Sequence, residues 1–218
     1  RGRTKSDEVD AENIARAALA NPKLVAFTTH ANVEELKTLT RTRALLSQQL
    51  TVLRLSCASL TLDKAQQALE PVIALIEQQL KDLDKALNIL VQQLMPELLD
   101  ELGIGVVHAA TLLAETGDPR TFRSQHSFAM FAGCAPVERS SGGQRRQQLN
   151  TGGNRILNKT FHMIGLVRLR FDEASKAYLT KKTRAGKTTR AALRCLKTVV
   201  ARDVFRFMLA NAQQHPER

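Results

Sequence analysis

A chain of 218 residues with 43% hydrophobic and 24% charged side chains can build one large domain or two small ones around a real core, so collagen-like, mucin-like and wholly disordered readings are excluded. Aromatic residues make up only 4%, with no Trp and one Tyr, which disfavours a β-sandwich or barrel and predicts a mostly α chain. The net charge of +11 is placed unevenly: residues 1–100 hold 12 basic and 13 acidic side chains, residues 101–218 hold 20 and 8, and such asymmetry points to a polyanionic partner, nucleic acid before membrane.

Residues 6–20 open with a capping residue and acids, then place Val9, Ile14, Ala17 and Ala18 near helical spacing, which predicts a short helix. Asn21-Pro22 stops it, and the following ten residues read as a connector. Leu36, Leu39, Arg43, Leu46, Leu50 and Leu53 then step by three and four. After an interruption at 56–61, Leu69, Ile73, Ile76, Leu80, Leu83, Leu87, Leu90 and Leu94 do the same, a heptad seam of about three and a half repeats. The expectation is a long antiparallel helical hairpin, packed either as an ordinary bundle or against another copy of itself. Pro71 is expected to kink the second arm or to mark its beginning.

Met95-Pro96 ends that arm. A Gly103-Ile104-Gly105 turn follows between apolar helices, the arrangement by which helix-hairpin-helix modules offer backbone N–H groups to a DNA phosphate. A plain connection that uses glycine for left-handed geometry has the same pattern. Phe122, Phe128 and Phe131 cluster on an apolar face and are assigned to the core. Next comes a Gly-rich, site-like loop with two Gly-Gly pairs, Ser140 and Ser141 among Arg139, Arg145, Arg146, Arg155 and Lys159. The remainder, from Ile156 to about Ala212, reads as two basic helices separated around residues 180–190.

Between Arg139 and Arg206 there are 17 basic and 3 acidic residues, a region suited to phosphates and to salt-sensitive binding. A serine in a glycine-flanked, arginine-rich setting can attack a phosphodiester, with arginine stabilising charge on the non-bridging oxygens. It needs a base or a metal to deprotonate it, and no His is close in sequence; SSGG equally suits a loop that merely contacts phosphate. Asp7 and Asp10, three apart on a first helical turn, can present two carboxylates on one face, a geometry suited to Mg²⁺. Helix capping and the macrodipole also favour acids there. Cys57, Cys134 and Cys195 form no CxxC pattern, so neither a zinc site nor a disulfide framework is indicated. No apolar run reaches the length of a membrane span, and a cytoplasmic location is expected.

Taken together, KSDEVDA, the helical hairpin, LGIGVVHAATLLAETGDPRTFRSQHSFAMFAGCAPVERSSGGQRR and GGNRILNK resemble the DEDD-type insertion-sequence transposases related to the Piv DNA invertase, including the bridge-RNA-guided serine recombinases. The resemblance is strongest over residues 98–170. It implies a remnant of a RuvC-like domain at 1–29, a helical hairpin or coiled coil at 30–96, and a basic transposase domain with a serine loop at 97–218. It further implies that Asp7 and Asp10 are the last two of four metal-binding acids, that Ser141, with Ser140 as the slip by one, is the nucleophile, and that strands are exchanged through a phosphoserine. DNA, a guide RNA and further copies of the chain are the implied partners, and Mg²⁺ the implied cofactor.

The resemblance places the first two acids upstream, and the sequence opens on Arg1, so the expectation is a truncated portion that is inactive alone. Two rivals accompany the recombinase reading. One is a non-catalytic nucleic-acid-binding module that uses the glycine turn and the basic helices; the other is a coiled-coil assembly element whose basic tail serves solubility.

Overall fold

The computed structural model describes residues 7–20, 31–60, 63–141 and 144–214, with backbone alone at 7–10, 18, 138–141, 144–147 and 214. Of the connector expected at 21–32, residues 21–30 lie outside these residues, and Ala31 and Asn32 already belong to a helix. Two compact units are present, Arg1–His30 and Ala31–Arg218. In the first, α1 spans Asp7–Ala20, as its spacing predicts. The second comprises α2 (Ala31–Ser59), α3 (Asp63–Leu94), α4 (Val106–Thr116), α5 (Gln125–Phe131), β1 (Val137–Ser141), β2 (Gln144–Gln148), α6 (Arg155–Phe171), α7 (Glu173–Arg184) and α8 (Thr189–Gln214). Short 3₁₀ turns occur at Pro96–Asp100 and Pro119–Thr121. The fold is mostly α.

Arms α2 and α3 form the expected hairpin, and the heptad residues are the ones turned inward. Leu36, Leu50, Leu87 and Leu90 are buried, while Leu39, Leu46, Leu53 and Leu80 are half-buried. Arg43 stands on that seam and forks onto Asp84, with Nη2 donating to Oδ2 at 3.1 Å. Arg54 reaches Glu77 at 2.7 Å. Residue numbers fall on one arm as they rise on the other, so the arms are antiparallel, and the charged pair on an apolar seam helps to set register. The break is shorter than the sequence suggests, because α2 continues to Ser59. Helix α3 starts at Asp63 and runs through Pro71, which therefore does not mark its beginning.

Both arms enter the same core as the C-terminal helices. Leu36, Leu87, Leu90 and Val91 join Leu112 of α4, Phe161 and Ile164 of α6, and Val204 and Phe205 of α8 in one apolar cluster. Helix α4 is buried at Ala109, Ala110, Thr111, Leu112, Leu113 and Ala114 in succession, as a helix apolar on all sides must be. Two of the three clustered rings belong to the core, as expected. Phe128 is fully buried and stacks on Phe205 with centroids 4.8 Å apart, and Phe122 meets it edge-on at 5.2 Å. Only Phe131 keeps a substantial exposed surface.

Two expectations are corrected. The Gly-rich loop is instead a two-stranded antiparallel hairpin, with Val137 paired to Gln148 and Ser141 to Gln144. Strand-length runs flanking Gly142-Gly143 are a hairpin pattern, which a count of basic residues overlooks. The two basic helices are three, because Asp172 ends α6 and caps α7. Its carboxylate accepts from the backbone N–H of Ala174 at 3.2 Å and of Ser175 at 3.0 Å, and from the Ser175 hydroxyl at 2.6 Å.

Candidate nucleic-acid interface and serine hairpin

The serines occupy the end of β1. In the ladder Ser140 is level with Arg145, Ser141 with Gln144, and Arg139 with Arg146. Register positions of one parity share a sheet face, so Ser141 belongs with the Arg139–Arg146 pair and Ser140 with Arg145. The side chains of these five residues lie outside the described residues.

The roots of the hairpin are described in full, and they are tightly held. At Gly153 an added Cβ would stand 2.3 Å from the Cα of Gly133, so the chain entering β1 and the chain leaving β2 touch through backbone alone. Gly133 itself has φ +65°, the left-handed region that glycine enters freely. Asparagines fasten the crossing. Asn150 Nδ2 donates to the Met130 carbonyl at 2.6 Å, the Asn154 N–H to the Phe131 carbonyl at 2.7 Å, and Asn158 Nδ2 to the Gly133 carbonyl. Asn154 also caps α6 by accepting from the N–H of Ile156 and Leu157, while its Nδ2 donates to Glu115 Oε2 at 2.6 Å. From α8, the Thr198 hydroxyl donates to the Cys134 carbonyl at 2.6 Å, and Lys197 Nζ donates to Asn158 Oδ1 at 2.7 Å.

Beside these roots opens a cleft of about 1660 Å³ between α2 on one side and α6 and α8 on the other. Arg155 and Lys159, four apart on α6, line it with Arg194 and Lys197, three apart on α8. At such spacings the side chains share a helix face. Burial lowers the affinity of Lys197 for its proton, which marks an ammonium short of counter-charge. Burial also pushes the Cys134 thiol up to about 12, so it stays protonated and unreactive. His162 lines the cleft, whereas His126 sits elsewhere, its Nδ1 3.1 Å from an Arg202 guanidinium nitrogen.

Gly103 and Gly105 line a separate hollow. Gly103 has φ +87°, and a Cβ added there would stand 3.2 Å from the Ile164 carbonyl oxygen, so the turn packs closely on α6. Gly105 precedes α4 with open space around it. Asp84, Asp100 and Glu101 line the shallow hollow at these glycines, an acidic setting. Asp7 and Asp10 occupy the first turn of α1, in the other unit, with their carboxylates outside the described residues. Among the described residues no group of three or more His, Cys, Asp or Glu could hold a metal. None of their helices is long and apolar enough to cross a membrane.

The residues missed in the sequence are Asn150, Asn154, Asn158, Glu115, Arg194 and Lys197. A sequence signal existed for two of them, the three-residue spacing of Arg194 and Lys197 within a helical pattern. The bracing contacts of the asparagines reach 20 or more residues away, for which no local pattern exists, although Asn154 also has a local signature as the N-cap of α6.

Such a molecule is a mostly helical, basic protein with a serine-bearing hairpin braced beside a cationic cleft. Residues 97–180 match the Transposase IS116/IS110/IS902 family. A protein of Streptomyces coelicolor described as "Insertion element IS110 uncharacterized 43.6 kDa protein" is 33% identical over 138 residues, which cover 62% of this chain and 34% of the relative. The chain thus spans about a third of the length of that curated relative. The family match includes Gly103, Gly105, both serines, Arg155 and Lys159; Asp7, Asp10, Arg194 and Lys197 fall outside it.

Proposed function

We propose that this chain is part of a DNA transposase or recombinase in which Ser141 is the nucleophile. The observation that carries the reading is the family match over 97–180, which encloses a serine pair held in register with arginines on a braced hairpin. In the proposed step the Ser141 oxygen attacks phosphorus and the P–O bond to one DNA strand breaks. The leaving oxygen keeps the electron pair and takes up the proton that the hydroxyl loses. The phosphoserine preserves the bond energy, so a hydroxyl of another strand can reverse the step without ATP. Arg139 and Arg146, at ladder positions of the same parity as Ser141, stabilise charge on the non-bridging oxygens, and the rigid hairpin roots limit the geometries the serine samples.

Asp7 and Asp10, on one helical turn, offer two oxygen donors of the kind Mg²⁺ prefers, and further carboxylates are needed to complete the shell. Mg²⁺ held there would neutralise phosphate charge and favour ionisation of the attacking hydroxyl. In this reading cleavage depends on those carboxylates, whereas DNA binding does not. A guide RNA and a cytoplasmic location belong to this reading through the resemblance; loss of strand exchange on RNase treatment tests the former.

The test joins this chain to a RuvC-like domain that carries the two other acids and compares the wild type with Ser141→Ala and Ser140→Ala. Strand exchange and a covalent DNA adduct on a denaturing gel are expected to vanish with Ser141→Ala and to persist with Ser140→Ala. Persistence of the adduct in Ser141→Ala removes that residue from the role. A second reading, binding without catalysis, is favoured by the cleft, whose cations suit phosphates whether or not a serine reacts. It predicts salt-sensitive DNA binding unchanged by Ser141→Ala and by chelation of metal.

A further inference from the structure

The cleft between α2 and the α6–α8 wall is charged on one side. Among the described residues, Arg155, Lys159, Arg194 and Lys197 enter no ion pair, whereas the cations at Arg43, Arg54 and Arg168 each have a carboxylate. Lys197 is half-buried, and its hydrogen-bond partner is the neutral amide oxygen of Asn158. Glu115 is the acid among the lining residues, and it already accepts from Asn154. Arg155, Lys159 and Arg194 are exposed, but the half-buried Lys197 ammonium is partly removed from water without an ion-pair partner, and an anion bound beside it would supply the missing counter-charge.

The opposite wall differs. Leu45, Gln48 and Val52, on one stripe of α2, face the same cleft, and Leu45 and Val52 are each more than half exposed. Arg43 on that arm is neutralised by Asp84, leaving Arg41 as its unpaired cation among the described residues. A DNA duplex carries phosphates on both flanks and would set one row of them against this largely uncharged stripe. An unpaired strand has one anionic edge and one edge of bases, which are uncharged, partly apolar and able to hydrogen-bond. The asymmetry of the walls matches the asymmetry of a single strand.

We propose that this cleft seats an unpaired DNA strand, its phosphates on Arg155, Lys159, Arg194 and Lys197 and its bases toward Leu45, Gln48 and Val52. The inference rests on the reading that the chain handles DNA and adds the strand state and the path. It brings in α8, which lies beyond the segment matched to the transposase family.

The experiment titrates the full chain with a fluorescein-labelled 20-nucleotide DNA strand, the same sequence as duplex DNA, and the same sequence as single-stranded RNA, at several salt concentrations. The variants are Lys197→Gln, Arg194→Gln, Lys197→Arg, Val52→Glu and, as a control of equal charge change outside the cleft, Lys181→Gln. The expected result is tighter binding of single-stranded DNA than of duplex. Lys197→Gln and Arg194→Gln should each weaken single-strand binding roughly tenfold and lower the salt slope by about 0.7. Lys197→Arg should restore most of it, Val52→Glu should weaken it, and Lys181→Gln should leave it near wild type. Circular dichroism checks that each variant is folded. Duplex binding as tight as single-strand binding, RNA bound in preference to DNA, or cleft variants indistinguishable from Lys181→Gln overturns the inference while leaving DNA handling in place. Absence of DNA binding by the wild type overturns both.

Discussion

At Gly153 a single methyl group would overlap the backbone of Gly133, and neither partner has a side chain that can swing aside. Gly153→Ala is therefore expected to destabilise the protein by about 1–3 kcal/mol, read as a lower urea midpoint, because backbone must shift to admit the new atoms. Gly105 is the internal contrast. A Cβ there meets nothing within 4 Å and the backbone φ is −91°, so Gly105→Ala should move the same midpoint little. Should Gly105→Ala weaken DNA binding at unchanged stability, the glycine turn is a phosphate contact; should it not, Gly103 is there for its packing on α6. Sequence alone left those two uses of the turn open, since both need only that a glycine be present.

Among the elements, α7 depends most visibly on one residue. Asp172 satisfies two backbone N–H groups and a hydroxyl, and the Ser175 hydroxyl beside it holds its carboxyl below the ordinary range. Asp172→Ala should cost about 1 kcal/mol by removing the cap. The pH dependence has a definite sign: with the folded value lowered, the contribution is full above the unfolded carboxylate value and fades as the pH falls through the folded one. Urea titrations at neutral and at acidic pH should show the wild type and Asp172→Ala converging on the acid side. Asp-Glu-Ala-Ser at 172–175 was legible as a capping sequence; the surrounding excess of basic residues masked it. The β-hairpin was hidden for a related reason, because strands rich in Arg, Gln and Ser show no apolar alternation, which leaves the Gly-Gly pair between them as the sequence sign.

For the whole molecule, the heptad seam is consumed within the chain, where it joins α2 to α3. Two helices cover each other on one side only, so much of the seam stays half-buried and other apolar residues remain outside it. Leu55, Val72 and Leu75 are exposed near the tip of the helical hairpin. Association of copies through the helical hairpin, an expectation of the sequence, is tested at these residues. Sedimentation of the wild type is expected to show an oligomer that Val72→Glu/Leu75→Glu converts to monomer without loss of helix content. Substituting Leu87 instead would test the fold, since that side chain is fully buried inside one chain. A monomeric wild type removes self-association through this tip.

What the sequence determined by itself is what short-range chemistry controls. The helix periods, the capped starts, the proline stop at Met95-Pro96, the aromatic core and the basic C-terminal half can all be read within a few turns of chain. Tertiary structure alone decided which of those cations share a cleft, which of them have carboxylates, and which glycines exist so that two backbones can touch. Those outcomes depend on residues such as Gly133 with Gly153, and Asn158 with Lys197, which are far apart along the chain. Desolvation and unpaired charge arise only once such residues are brought together, and no local pattern encodes them.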